Sequence, residues 1–294
     1  MNRQEAMNTS YLRRTIRESL SDIVRECRIL ATPPPRPSLC WLFLVGCYNS
    51  GTTLLAQMLA RHPDIASFPT EGHFITNQFV KDFDVGLPRM WSRGEHLFRL
   101  TEQDEGPDAQ RIKKEWGMRL DRRKPVFLEK SPPNTARTRW LQSYFAPARF
   151  VAIVRNGYAV AEGIRRKADP HHLPASWPIE DCARQWVRSN EMLQKDSSYL
   201  DHLLWVSYES LAESPKDVLN NIARFAGLED FPTFNTDDAL VVHERKQPIA
   251  DLNNESIERL SAQDIATINR IAGPTLEKFG YEILNPDAKT TSDK

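Results

Sequence analysis

The stretch from Trp41 to Leu59, WLFLVGCYNSGTTLLAQML, decides the fold of this chain. It opens with an unbroken apolar run, WLFLV, as expected for a strand that is buried on both faces of a parallel sheet. The run ends at Gly46, a turn-rich segment continues to Gly51, and Thr52 then opens a helix with one apolar face. A loop of this kind directs several backbone N–H groups and the positive end of a helix at one point. The sequence therefore predicts a strand, an anion loop and a helix, and the loop is expected to hold a phosphate or a sulfate.

The loop has the G-x-x-x-x-G spacing of a nucleotide triphosphatase loop, but Thr52 stands where those proteins have a lysine. A strand that ends in a magnesium-binding aspartate is also missing, because Phe150 to Val154 runs into Arg155 and Val126 to Leu128 runs into Glu129. These two absences argue against Mg-ATP chemistry. A donor whose transferred group carries one negative charge, such as a sulfuryl group, needs less countercharge and could react without a metal. A Gly/Ser/Thr turn that binds nothing is the alternative.

Length and charge limit the class of protein. At 294 residues, the chain is long enough for one large domain with a full core. Its 39 basic and 39 acidic residues give a net charge of zero, so no overall field favours nucleic acid or an anionic membrane. We expect an α/β, P-loop-containing three-layer fold with a central parallel sheet flanked by helices, and any anion site must be local.

The cysteines and apolar segments indicate the compartment. Neither a zinc-ligand spacing nor a disulfide framework is present among Cys27, Cys40, Cys47 and Cys182. No apolar stretch approaches the roughly 20 residues of a membrane span, and the first residues lack the apolar core of a signal peptide. We therefore expect a cytoplasmic protein without a transmembrane segment. His171, His172 and Asp169 lie in a proline-punctuated loop without helical ligand spacing, so no metal site is predicted.

Residues 1–37 are expected to form a separate N-terminal part. Apolar residues recur at helical spacing over residues 10–30, which predicts an amphipathic helix, and the proline-rich segment from Thr32 to Pro37 follows as a stiff linker. The helix could pack on the domain, pair with another copy in a homo-oligomer, or contact a membrane surface. The main domain is expected over residues 38–286, with a polar tail at 287–294.

Polar residues follow three further predicted strands. Glu71 and His73 come after Ile65 to Phe68, and either could take a proton from an acceptor group; a surface carboxylate without a role is the alternative for Glu71. Because ligands bind at the carboxyl ends of parallel strands, both residues should lie near the anion loop. Lys130 follows Val126 to Leu128, where it could stabilise charge on a leaving oxygen or simply be solvated.

Arg155 follows the apolar strand Phe150 to Val154, and its fork of donors could bind a phosphate or form a salt bridge. Arg245 and Lys246, between the last two long helices, could likewise reach the ligand or be solvated. Residues 77–123 are expected to form helices and loops that cover the cleft and carry acceptor specificity.

Taken together, these stretches resemble the sulfotransferase family, over about residues 40–285. The resemblance is carried by GCYNSGTTLL, EKSPPNT, FVAIVRNGYAVAEG and WVSYESLAESPKDVLNNIARFAGL, in that order and spacing. It is strongest to the branch with the bacterial, tyrosylprotein and heparan-type enzymes. It implies transfer of a sulfuryl group from 3'-phosphoadenosine-5'-phosphosulfate (PAPS) to a hydroxyl or an amine by in-line displacement, with release of adenosine 3',5'-bisphosphate and without a metal.

The resemblance also implies site residues. Glu71 becomes the base, with His73 as the second candidate, and Lys130 stabilises the bridging oxygen. Arg155 holds the 3'-phosphate and Tyr208 lies beside the nucleotide. The 5'-phosphosulfate is held by Ser50, Gly51, Thr52 and Thr53, and the wider nucleotide site includes Tyr48, Asn49, Gly163, Arg245 and Lys246.

The chain departs from the family pattern at two of these positions. Asn49 stands where relatives usually have an arginine or a lysine, and Gly163 stands where they usually have a serine that contacts the 3'-phosphate. These departures leave open a weakly active enzyme, an enzyme tuned to an unusual acceptor, or an inactive nucleotide-binding scaffold protein. A divergent P-loop kinase is a separate alternative, and the missing loop lysine and strand-end aspartate argue against it. The long loops with aromatic residues suggest a sizeable acceptor such as a glycan, a lipid or a peptide.

Overall fold

The computed structural model of the protein describes residues 22–167, 177–232, 240–242, 245–247 and 249–290. Of 240–242 and 245–247 it describes the backbone alone. The regions predicted around His171 and His172, and the first half of the predicted N-terminal helix, lie outside these residues.

A five-stranded sheet forms the centre of the fold, with the strand order β2-β3-β1-β4-β5. All four pairs of neighbouring strands are parallel. The strands are β1 (Cys40–Gly46), β2 (Ile65–Ser67), β3 (Val126–Lys130), β4 (Ala148–Val154) and β5 (Leu203–Ser207). A separate antiparallel ribbon is formed by β6 (Leu240–Val242) and β7 (Arg245–Gln247).

Helices cover both faces of the sheet. In chain order they are α1 (22–31), α2 (Thr52–Leu59), α3 (Glu95–Phe98), α4 (Ala109–Gly117), α5 (Thr138–Tyr144), α6 (Gly157–Arg166), α7 (Ile179–Asp196), α8 (Tyr208–Glu213), α9 (Pro215–Phe225), α10 (Asn253–Glu258), α11 (Ala262–Lys278) and α12 (Asp287–Thr290). No helix within the described part of the chain is long and apolar enough to cross a lipid bilayer.

The apolar run of β1 is buried at every position, as its composition predicts. Side chains alternate along a strand, so Leu42 and Leu44 contact the core beneath α2 and α9, whereas Trp41 and Phe43 join an aromatic core on the other face. A third cluster lies between α6, α7 and α11. The predicted three-layer α/β fold is confirmed.

Several element boundaries differ from the predictions: β2 ends at Ser67 rather than Phe68, β3 continues to Lys130, and β4 begins at Ala148. A 3₁₀ segment, Pro132–Arg137, leads directly into α5. Helix α8 was not predicted; it begins directly after Ser207, whose hydroxyl accepts a hydrogen bond from the Ser210 N–H. Helix α11 begins at Ala262, directly after Ser261, which forms a capping box with Asp264.

The described part of the N-terminal helix lies against α4. The Arg111 guanidinium donates two hydrogen bonds to the Glu26 carboxylate, at 2.9 and 2.5 Å, and Arg25 lies 3.4 Å from the buried carboxylate of Glu115. Over residues 22–31, the helix therefore packs on the domain rather than standing apart from it.

Candidate active site

The loop between β1 and α2 has the shape of an anion loop. Asn49 and Gly51 have left-handed backbone conformations, with φ of 62° and 93°. A Cβ atom on Gly51 would lie 2.7 Å from Cδ2 of Tyr208, so a side chain is excluded on steric as well as conformational grounds. No side chain caps the start of α2. The first N–H groups of this helix are therefore free to bind an anion.

Arg155 is held in place from several sides. Its Nη1 donates to the Asn49 carbonyl oxygen at 3.1 Å and its Nε donates to Oδ1 of Asn253 at 2.8 Å. Its guanidinium carbon lies 4.0 Å from the centre of the Tyr208 ring. Burial lowers the pKa of Arg155, and nearby Tyr208 and acidic residues oppose that shift. The result is a fixed, largely buried guanidinium at the carboxyl end of β4.

Several buried polar atoms of this guanidinium and of the neighbouring loop have no hydrogen-bond partner among the described residues. They are Nη2 of Arg155, Oγ of Ser50, and both Nδ2 and Oδ1 of Asn49. An unpaired buried donor destabilises a fold by about 1–3 kcal/mol, so such atoms are rare unless a ligand completes them. Three of these atoms can donate to phosphate or sulfate oxygens, and the residues present therefore fit an anionic group.

The two departures from the family pattern contact each other. Gly163 lies in α6, and a Cβ atom built on it would be 3.2 Å from both Cβ and Cγ of Asn49. A serine at position 163 would therefore have to displace Asn49. Although 114 positions separate the two residues in sequence, they form one structural unit.

Lys130 links the candidate base to the anion loop. Its Nζ donates to Oε1 of Glu71 at 2.5 Å and to Oγ1 of Thr53 at 3.1 Å. Glu71 comes from the segment after β2, Lys130 from the end of β3, and Thr53 from the first turn of α2. The adjacent carboxyl ends of β1 and β3 thus bring together groups from three segments of the chain.

His73, the second candidate for the base, is buried. Its Nδ1 lies 3.0 Å from Oγ of Ser131 and 3.5 Å from Oε2 of Glu71. Burial, together with the charges of Arg137, Lys130 and Lys81, lowers the pKa of His73 to about 3. The imidazole is therefore neutral near pH 7, and it sits behind Glu71 rather than on the cavity wall.

A cavity of about 550 Å³ lies at this edge of the sheet. Predicted site residues on its wall are Tyr48, Asn49, Gly51, Thr52, Thr53, Glu71, Arg155 and Tyr208. Ser50, Lys130 and Gly163 are adjacent to or in contact with these wall residues. The side chains of Arg245 and Lys246 lie outside what the structure describes; their backbone belongs to β7.

Sequence reasoning missed the cationic side of this cavity. The cavity wall also includes Arg89, Arg166, Lys167 and Arg259. Burial, together with the charges of the neighbouring arginines, lowers the pKa of Lys167 to about 8. A signal did exist for Lys167, because it follows Gly163 by four residues and so shares a face of α6.

Further residues that the sequence analysis missed on the cavity wall are Phe74, Phe83 and Asp82. Phe74 and Phe83 are ring neighbours on the wall, with centroids 6.3 Å apart. Asp82 is buried and accepts hydrogen bonds from the Tyr48 hydroxyl and the Arg89 N–H, each at 2.8 Å. Within the described residues, no group of three or more His, Cys, Asp or Glu side chains could hold a metal ion.

Comparison with known proteins gives concordant matches. A model of the sulfotransferase family matches residues 42–232. Protein-tyrosine sulfotransferase 1 of Danio rerio is 28% identical over 269 residues, which cover 82% of this chain and 72% of that protein.

Two solved structures show the same fold. The sulfotransferase domain of the Synechococcus PCC 7002 olefin synthase is 20% identical with a TM-score of 0.52, over 86% of this chain and 98% of that one. A sulfotransferase from Mycobacterium avium is 15% identical with a TM-score of 0.54, over 90% of this chain and 82% of that one.

Proposed function

This chain belongs to the sulfotransferase family, and on that premise we propose that it transfers a sulfuryl group from PAPS to a hydroxyl or an amine of an acceptor. One observation carries the proposal. The anion loop, the unpaired guanidinium nitrogen of Arg155 and the Lys130–Glu71 ion pair all face one edge of the sheet, around or beside one cavity.

The residues around the loop fit the nucleotide. We assign the 5'-phosphosulfate to the loop N–H groups, Ser50 and Thr52, and the 3'-phosphate to Arg155, with Tyr208 beside the nucleotide. The ring of Tyr208 is fixed because its hydroxyl donates to the Ala250 carbonyl oxygen at 2.9 Å and accepts from the Leu252 N–H at 3.3 Å. Because this ring is already fixed, less conformational entropy is lost when a nucleotide binds beside it.

The residues beside the loop account for the chemistry. PAPS supplies an activated sulfuryl group. Glu71 accepts the proton of the acceptor hydroxyl, whose oxygen then bonds to sulfur as the bond from sulfur to the phosphate oxygen breaks. Lys130 stabilises the negative charge that the departing phosphate oxygen gains. No residue forms a covalent bond to substrate in this scheme, and the two positive charges of Lys130 and Arg155 replace the countercharge that a metal gives in phosphoryl transfer.

The acceptor is assigned only to a broad class. The cavity wall includes the rings of Phe74 and Phe83 together with Arg89, Arg166 and Arg259, which suits a molecule larger than the reacting group, such as a glycan, a lipid or a peptide. The tyrosylprotein relative favours the peptide among these.

The first test is calorimetric titration of the EDTA-treated protein with adenosine 3',5'-bisphosphate, with 5'-AMP as the control that lacks a 3'-phosphate. We expect tight binding and a clear preference for the bisphosphate. Binding without transfer to any acceptor in a broad panel would instead favour an inactive nucleotide-binding protein, for which the uncharged Asn49 is the supporting observation. Strict Mg-ATP turnover would favour the kinase.

Arg155→Ala is expected to weaken binding of adenosine 3',5'-bisphosphate by about 1.5–3 kcal/mol, roughly 10- to 150-fold in Kd, because it removes a charged donor from a buried site. The matched control is Arg123→Ala, whose side chain is 90% exposed and pairs with Asp121 on the surface. Equal affinities in the two variants would remove Arg155 from the nucleotide site.

The contact between Asn49 and Gly163 gives a double-mutant prediction. Gly163→Ser alone should weaken nucleotide binding several-fold, because the new side chain collides with Asn49. Asn49→Gly tolerates the left-handed backbone and opens the space that the serine needs. The double variant should therefore bind the nucleotide more tightly than the summed binding free-energy changes of the two single variants predict, by about 0.5–3 kcal/mol in calorimetry. Strict additivity would show that the two departures are independent.

A further inference from the structure

A buried carboxylate lies behind the candidate base. Glu129, in β3, is fully buried, and no positively charged side chain forms an ion pair with it among the described residues. Its Oε1 accepts hydrogen bonds from the Gly72 N–H at 2.9 Å and from the Ser131 hydroxyl, and its Oε2 accepts one from the Asn134 side-chain amide. A Cβ on Gly72 would lie 2.7 Å from Oε1, so glycine is needed for this approach.

Ser131 connects Glu129 to His73. The Ser131 hydroxyl is within hydrogen-bonding distance of Oε1 of Glu129, and its oxygen lies 3.0 Å from Nδ1 of His73 and accepts from the His73 backbone N–H at 3.4 Å. The same Nδ1 is 3.5 Å from Oε2 of Glu71, and Nε2 of His73 is buried without a partner in the described chain. A continuous chain of polar groups thus runs from Glu129 to the carboxylate that we assign as the base.

The ionisation state of Glu129 determines which groups donate and which accept along this chain of hydrogen bonds. When Glu129 is ionised, it takes the Ser131 proton, so the Ser131 oxygen must accept from His73. That requires a proton on Nδ1 of His73, where it also faces Glu71. When Glu129 is protonated, it can donate to Ser131, and the Ser131 hydroxyl turns to donate to Nδ1. His73 then carries its one proton on Nε2, and the Nδ1 lone pair faces Glu71.

We propose that Glu129, acting through Ser131, sets the tautomer of His73 and thereby determines whether His73 donates a hydrogen bond to Glu71. Glu129 is a positioning residue in this scheme, since it touches neither substrate nor nucleotide. Only its consequence for catalysis rests on the proposed function. The tautomer itself is a property of the folded chain.

The ionised and protonated forms of Glu129 interconvert near neutral pH. Burial raises the pKa of Glu129 to about 7. Among its neighbours, the hydrogen bonds from Ser131 and Gly72 lower this pKa, Glu71 raises it, and the charge of Arg137 lowers it. His73 stays neutral throughout, because its own pKa is about 3. The switch therefore involves one proton on Glu129, while one His73 proton exchanges between the two ring nitrogens.

Nitrogen-15 NMR of the imidazole rings tests this directly, with the His73 signals identified from their loss in His73→Asn. We expect the Nδ1–H tautomer at about pH 8.5, where Glu129 is ionised, and a growing share of Nε2–H towards about pH 5.5. Glu129→Gln should hold Nδ1–H at both values, because its amide oxygen accepts from Ser131 at any pH. Its NH₂ takes the place of Oε2 and can donate to Oδ1 of Asn134, which is otherwise unpaired, once the Asn134 amide turns over. Ser131→Ala should remove the pH response.

The proposal is overturned if His73 of the wild type is Nε2–H at about pH 8.5, or if it keeps one tautomer across the pH range. It is also overturned if the pH response persists in Glu129→Gln, because the response would then come from another group such as Glu71, which that variant retains. Circular dichroism confirms that each variant is folded. In transfer assays, kcat of the wild type should fall on the acid side with a midpoint near the Glu129 pKa of about 7. That fall should be absent in Glu129→Gln. If no sulfuryl transfer is found but the NMR results are as expected, the proposed function is wrong and the proposed control of the His73 tautomer by Glu129 is still supported.

Discussion

Glu71→Gln is expected to lower kcat for sulfuryl transfer by about 100-fold or more, while affinity for adenosine 3',5'-bisphosphate stays within about twofold. The amide has the shape of the carboxylate but cannot take the acceptor proton. Its oxygen can still accept the hydrogen bond that Lys130 donates to Oε1 at 2.5 Å, so the local packing should be preserved. Single-turnover transfer assays and calorimetry measure the two quantities separately.

The matched control for this change is Glu213→Gln, an exposed carboxylate at the end of α8. It makes the same chemical substitution away from the cavity and should leave kcat unchanged. Full turnover in Glu71→Gln would mean that another group removes the proton. His73 would be a poor substitute, since it is buried and its pKa is about 3.

The parts of this site that the sequence predicts are those with a local signal. The apolar run of β1, the glycine spacing after it and the apolar face of α2 lie within one stretch of chain. Parallel strands place their carboxyl ends at one edge, so the convergence of Glu71, Lys130 and Arg155 follows from three separate strand predictions. No knowledge of side-chain packing is needed for that step.

The parts that the sequence does not predict depend on contacts between distant residues. Arg155 is fixed by Asn253, 98 positions away, and α10 has no pattern that marks Asn253 as a partner. The burial of His73 behind Glu71, and the chain from Glu129 to His73, likewise depend on how the segment after β2 folds over β3. Side-chain hydrogen bonds of this range leave no periodicity in the sequence, because they follow from tertiary packing alone.

Lys130→Met is expected to lower kcat by about 100- to 1,000-fold, the usual effect of removing a fixed charge from a transition state. Methionine keeps much of the length and apolar stem of lysine but loses the ammonium group that contacts both Glu71 and Thr53. The control is Lys124→Met, just before the opposite end of β3, where the ammonium group donates to the Ile65 carbonyl oxygen at 2.9 Å. Transfer by that variant should match the wild type.

Lys130 could act in two ways, by positioning Glu71 or by stabilising charge on the leaving oxygen, and a double-mutant cycle separates them. If Lys130 only positions the base, Lys130→Met should cost nothing further once Glu71→Gln has removed the base. If it stabilises the leaving oxygen, the loss should persist in the Glu71→Gln background. We expect at least about a further tenfold loss there, because the 3.1 Å contact between Nζ and Thr53 holds the ammonium group beside the anion loop even without the carboxylate.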